Sequence, residues 1–195
     1  SFFEEEAQAW TSTDLVSTEK TSVCASTSIL LGYKILNQEG TITRVYENLA
    51  PHDILYISVY IWRIDTWDDN DQYLIIVDGV TLSLGGSSFY TVATTNMCGG
   101  SSSDMEPVQI LFNVAHNKSD LTLTFKSAAD EDPGNESFGF RNLSIQAKLK
   151  TGNDPTFLYA IGTPTPSPAT DYICTKGQYW SGSTCINCDP SCKYC

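Results

Sequence analysis

From about residue 28 to residue 149 the chain is broken at short intervals by turn residues, and no interval carries the apolar spacing of a helix three turns long. A chain so punctuated can bury apolar surface only by pairing strands. Residues 29–33 and 41–46 read as the first two strands, with Asn37-Gln38-Glu39-Gly40 as the turn between them. Residues 54–64 form a long β-branched and aromatic run. Its alternation is incomplete, as expected for a strand covered on both faces. Residues 73–77 and 80–84 flank Asp78-Gly79, a strong hairpin signal. Further strands are expected over 89–94, 108–114, 121–125 and 138–149; in 121–125 the residues Leu121, Leu123 and Phe125 share one face. Roughly eight to ten strands of this kind imply an all-β sandwich or jelly roll.

The rest of the chain has a different character. Residues 1–22 are polar with scattered aromatics, and read as an extended N-terminal segment in which Trp10 packs on the sandwich. The sandwich domain is expected over 23–150. Residues 151–172 form a linker whose Pro164, Pro166 and Pro168 lack amide donors for a sheet ladder. Residues 173–195 hold too few apolar side chains to bury a core, so disulfides must hold them.

Seven cysteines are present, five of them in the last 22 residues. Cys24 and Cys98 are alone in the first domain, and their pairing would close a loop of about 75 residues, worth roughly 4 kcal/mol by chain entropy. The tail reads C-x10-C-x2-C-x3-C-x2-C through Cys174, Cys185, Cys188, Cys192 and Cys195. Two C-x-x-C pairs invite zinc, but a fifth cysteine and the hairpin-like Tyr179-Trp180-Ser181-Gly182 favour a stapled Cys174–Cys185 loop. The connectivity of the other three stays open. The odd total and the stop inside a cysteine run suggest a polypeptide that continues past Cys195, with any signal peptide already removed. Sequons at Asn117, Asn135 and Asn142 add to the expectation of an extracellular or cell-surface glycoprotein.

The formal net charge is -12, and residues 1–150 carry 20 acidic against 9 basic side chains, so the excess belongs to the first domain. Such a surface repels phosphate backbones and anionic membranes, which excludes nucleic acid as the expected partner. No run is long and apolar enough for a membrane helix, so no membrane insertion is expected within this fragment. Residues 65–72 place four aspartates between two apolar strands, and crowded carboxylates of this kind suit a hard divalent cation. Asp65, Asp68, Asp104 and Glu136 are the expected ligands of a structural Ca2+, provided their loops meet at one end; a solvated acidic loop is the bland alternative. His52 and His116 show no ligand spacing and no catalytic triad pattern, and the many serines lack a G-x-S-x-G elbow.

Several segments resemble a known family in order along the chain: Leu49-Ala50-Pro51-His52, Ile64-Asp65-Thr66-Trp67-Asp68, Val77-Asp78-Gly79, Cys98-Gly99 and Glu136-Ser137-Phe138-Gly139-Phe140-Arg141-Asn142-Leu143-Ser144-Ile145. Together they resemble the ectodomain module of large ciliate surface proteins. The stretch from Gln178 to Cys195 is similar to the opening of the furin-like or growth-factor-receptor-like cysteine-rich repeats that follow it there. Phe138 stands where that pattern has tryptophan. The sandwich also resembles galactose-binding-like jelly rolls, in which a calcium ion often braces the strands. The resemblance implies a surface location and a non-enzymatic structural role in a coat, filament or adhesion layer, with other subunits as partners. The alternative it implies is a calcium-dependent carbohydrate-binding module, with Trp62, Trp67 or Tyr90 stacking on glycans. A secreted glycosidase-like enzyme is the third reading.

Overall fold

The computed structural model describes residues 2–67, 71–83, 95–105, 107–149, 157–161, 178–180 and 185–187. One short helix, α1 (Phe2–Gln8), precedes the strands β1 (Thr11–Leu15), β2 (Thr21–Cys24), β3 (Thr27–Leu31), β4 (Leu36–Tyr46), β5 (His52–Asp65), β6 (Gln72–Val77), β7 (Val80–Ser83), β8 (Val108–Ala115), β9 (Leu121–Ala128), β10 (Glu136–Leu149) and β11 (Phe157–Ile161). They form two antiparallel sheets, ordered β1-β4-β9-β6-β7 and β2-β3-β10-β5-β8, with β11 added on β10. The chain is an all-β jelly-roll sandwich.

Alternation builds the interior. Ile42, Ile75, Leu123 and Phe125 of the first sheet and Leu55, Ile57, Val59, Ile61 and Ile145 of the second are essentially inaccessible to water and belong to one apolar cluster. Each such side chain contributes about 1.5–3 kcal/mol relative to exposure. Phe125 stacks on Phe140 across the gap, with ring centroids 4.1 Å apart. Trp10 closes on both, 5.9 Å from Phe125 and 5.3 Å from Phe140.

The N-terminal segment is therefore structural, not merely extended: residues 2–24 supply α1, an edge strand of each sheet and the buried Trp10. A second difference concerns the first turn. Residues 37–40 lie inside β4, and the chain reverses earlier, at Gly32 to Ile35. Gly32 has φ +122°, and a Cβ there would stand 1.9 Å from the Ser22 hydroxyl, so the glycine permits both the turn and the close approach. Asp78-Gly79 does form the expected tight hairpin, with φ values of 49° and 80° between the paired Val77 and Val80.

The chain divides into a compact unit over 1–163 and a second over 164–195. In the second, β12 (Gln178–Trp180) and β13 (Cys185–Asn187) pair antiparallel. Residues 157–161, expected within the linker, form β11 on β10, while the strand expected over 89–94, the proline stretch 162–172, and the side chains of Cys174, Cys185, Cys188, Cys192 and Cys195 lie outside what is described.

Candidate functional site

Two 14-residue strands, β5 and β10, run antiparallel along the second sheet. They define a carboxylate-rich end, where Glu136 pairs with Asp65, and an opposite end, where Leu149 pairs with His52.

At the first end, the register of β6 with β9 sets Gln72 opposite Ala128, which brings Asp71 beside the segment leaving β9. The Asp130 amide donates to the Asp71 carboxylate at 3.3 Å. The chain then turns at Asp132-Pro133-Gly134, where Asp132 accepts the Gly134 amide on its side chain and the Asn135 and Glu136 amides on its carbonyl. That turn delivers Glu136 back toward Asp71. One carboxylate oxygen from each of Asp71, Asp130 and Glu136 lies within 4.8 Å of the others. Asp71 and Glu136 are buried and Asp130 is exposed, so the group opens to solvent on one side. Burial, the hydrogen bond with Asp71 and repulsion from Asp71 and Glu131 push the Glu136 carboxyl up to about 8, against the Glu131 amide that donates to it. One hard oxygen donor from each of three carboxylates thus converges there, a group that could hold a metal ion.

The predicted cage is thus split. Glu136 does join an acidic group, but with Asp71 and Asp130 rather than with Asp65 and Asp104. Asp68 lies outside the described residues. Asp104 is used up locally: one oxygen accepts the Asp65 amide at 3.0 Å, the other the Met97 and Cys98 amides at 2.5 and 2.7 Å. Asp65 in turn accepts the Ser102 amide at 2.8 Å. These two carboxylates satisfy backbone donors and brace the loop that carries Cys98. Sequence spacing could not separate the two groups, because strand register decides which aspartates meet.

Cys24 and Cys98 form a disulfide, with Cα atoms 4.1 Å apart. With Ile29, Trp62 and Ile64 it makes a second apolar cluster, against which Tyr33, Tyr60 and Met97 pack. Trp62 and Ile64 lie on the side of β5 opposite Ile61 of the main core, so this end of β5 is covered on both faces, as its incomplete alternation suggests. This overturns two stacking candidates. Trp62 and Trp67 are each only 7% exposed, and the Trp67 indole donates to the Ser137 carbonyl at 2.7 Å. Tyr90 lies outside the described residues.

The other half of β5 alternates between a buried inner face and a half-buried outer face. Leu55, Ile57, Val59 and Ile61 point inward, while Tyr56, Ser58 and Tyr60 are half-buried on the opposite side. Register places Asn113, Leu111 and Gln109 of β8 beside them, and Gln146, Ser144 and Arg141 of β10 on the other flank. The Gln109 side chain donates to the Ser58 hydroxyl at 3.0 Å. Two phenol rings four residues apart, bordered by amides and hydroxyls, make a strip with apolar faces and fixed polar groups. The period of two in 54–61 is the signal that locates this strip, and long-strand hydrophobicity obscures it.

Asn117, Asn135 and Asn142, the three sequon asparagines, are all exposed. Asn142 sits at a register break in β10 with φ 54°, where its side chain projects from a bulge. Among the described residues no helix is long and apolar enough to cross a membrane.

No protein-family model matches the sequence, and no curated protein matches it. Solved structures similar in fold include the C-terminal family 6 carbohydrate-binding module of the laminarinase LamC from Zobellia galactanivorans, at 12% identity and TM-score 0.40, covering 71% of this chain and 94% of that one. A family 35 carbohydrate-binding module from Clostridium thermocellum aligns at 10% identity and TM-score 0.38, over 71% of this chain and 92% of that one. The mannan-recognising module TmCBM27 aligns at 13% identity and TM-score 0.38, over 72% and 89%.

Proposed function

We propose that the sandwich is a calcium-braced, non-catalytic carbohydrate-binding module of a secreted or cell-surface protein. The observation that carries this reading is the strip on the outer face of β5, where Tyr56 and Tyr60 alternate with Ser58 among the amides of Gln109, Asn113 and Gln146. A phenol ring offers an apolar face to the C–H side of a pyranose, while amide and hydroxyl groups in fixed register take its hydroxyls. The sheet is rigid, so little ordering entropy is lost on binding. The disulfide and the exposed sequon asparagines support an oxidising, glycosylating compartment.

A glycan array probed with the full chain tests the reading. Positive glycans should lose tenfold or more of their affinity when Tyr56→Ala and Tyr60→Ala are combined, in keeping with the usual weight of buried aromatic anchors, about 2 kcal/mol. Retention of full affinity in the double variant sinks it. Self-association of the chain without any glycan bound would favour the alternative, a lateral contact module in a surface coat or filament.

Asp71, Asp130 and Glu136 would hold the ion, whose positive charge would replace the proton that Glu136 otherwise keeps in its hydrogen bond with Asp71. Calcium at 100 times its dissociation constant adds about 2.7 kcal/mol to folding. Chelator is therefore expected to lower the melting temperature by several degrees, and Asp71→Asn to abolish the difference. The site should also bind more tightly as pH rises through about 8, because the proton held on Glu136 must leave first. Without metal the same carboxyl acts in the opposite sense. Its folded value is raised, so its stabilising contribution is full below about pH 4.3 and fades as pH climbs toward 8. Identical melting curves with calcium and with chelator would remove the ion from the proposal.

A further inference from the structure

The opposite end of the sandwich holds the only two histidines of the chain, His52 and His116, both nearly inaccessible to water. Their rings are parallel within 7° with centroids 4.8 Å apart, and Nε2 of His52 lies 2.6 Å from Nδ1 of His116. They therefore meet edge to edge along an N–H···N line rather than face to face. His52 Nδ1 lies 2.6 Å from the Ala50 carbonyl oxygen, and His116 Nε2, buried and without a hydrogen bond, faces the Asp78 carboxylate at 3.3 Å. Asp78 is itself fixed by the Thr122 amide and the Lys118 ammonium, at 2.9 and 2.8 Å. The row starts on β5 of one sheet and ends at the β6–β7 turn of the other.

A count of protons follows from the partners. A carbonyl and a carboxylate at the two ends accept only, so keeping the two hydrogen bonds of the row and turning an N–H of His116 Nε2 toward Asp78 needs three N–H groups. Two neutral imidazoles have two. One added proton completes the row as an imidazolium on His116 facing Asp78. A second added proton would set N–H against N–H across 2.6 Å. The row thus accommodates at most one.

We infer that His52, His116 and Asp78 form an acid-sensitive clasp that ties the two sheets at this end and loosens when the histidines are driven to take up a second proton. In the unfolded chain both imidazoles protonate independently near pH 6.5. Below that pH the open state binds at least one more proton than the clasped state, so the opening equilibrium constant rises about tenfold per pH unit. Burial lowers the His116 value, outweighing the attraction of Asp78, which raises it. The other charged groups around the pair are Lys118, Asp120 at the entry to β9, Asp53 beside His52 on β5, and Lys148 on β10, one residue from the partner of His52.

Two histidines make the readout simple. Imidazole NMR of the full chain between pH 7.5 and 5 should show uptake of no more than one proton by the folded protein. Amide exchange supplies the local readout, because a global melt also contains the opposing titration of Glu136. Protection of the His116 and Thr122 amides, corrected for intrinsic rate, should fall about tenfold per pH unit below 6.5 while that of Ile75 holds. In His116→Gln, which cannot take the proton, the Thr122 amide should lose this pH dependence. Two independent ordinary titrations near pH 6.5 would overturn the clasp, as would unchanged acid dependence at Thr122 in His116→Gln.

Discussion

Cys24→Ser is expected to lower the melting temperature by roughly 8–16 °C, Cys98→Ser to lower it equally, and the double variant to lower it little further. The bond spans a sequence separation of 74. A crosslink over that distance removes chain entropy from the unfolded state worth roughly 4 kcal/mol. In a chain of this size each kcal/mol moves the midpoint by about 2–4 °C. Both single variants delete one bond, so their effects are not additive. The folded state sharpens the forecast: Asp104 holds the Met97 and Cys98 amides independently of the sulfur, so the loop keeps part of its anchorage in either variant. Calorimetry under non-reducing conditions measures this directly. Additive losses would show that each cysteine stabilises the fold by separate means.

Trp10→Ala should cost about 3–5 kcal/mol, the usual range for emptying a fully buried indole site. Trp10 is 1% exposed and touches both layers through Phe125 and Phe140. Its loss opens a cavity where rigid strands cannot collapse. Denaturant unfolding gives the cost, and Trp10→Phe should recover part of it by refilling the ring volume. A variant lacking residues 1–10 should be at least as damaged as Trp10→Ala, since it loses α1 and the indole together. Wild-type stability in that truncated chain would show that the N-terminal segment contributes nothing to the core.

Some of the molecule was legible before any coordinates. The inward face of β9 follows from Leu121, Leu123 and Phe125 at a period of two, because alternation is a property of the extended backbone itself. The Asp78-Gly79 hairpin follows from residues that tolerate positive φ. The incomplete alternation of β5 also had a local cause, since Trp62 and Ile64 back onto the disulfide cluster. The role of residues 2–24 was not legible. Their strands are short and polar, and pairing with Thr41, Ile42, Thr43 and Leu30 is what makes them strands.

The candidate sites divide the same way. The sequence alone assigned an acidic, all-β chain with a cysteine pair in its first domain, because charge, the spacing of turn residues and cysteine placement do not depend on which strands meet. Tertiary structure alone decided that Asp71 and Asp130 stand with Glu136, that Asp65 and Asp104 serve backbone amides, that Trp62 and Trp67 are interior, and that Tyr56 and Tyr60 stand half-buried on the outer side of β5. It also brought His52 and His116 together across a sequence separation of 64. Each of these depends on register between distant strands, where a shift of one residue turns every side chain to the other face.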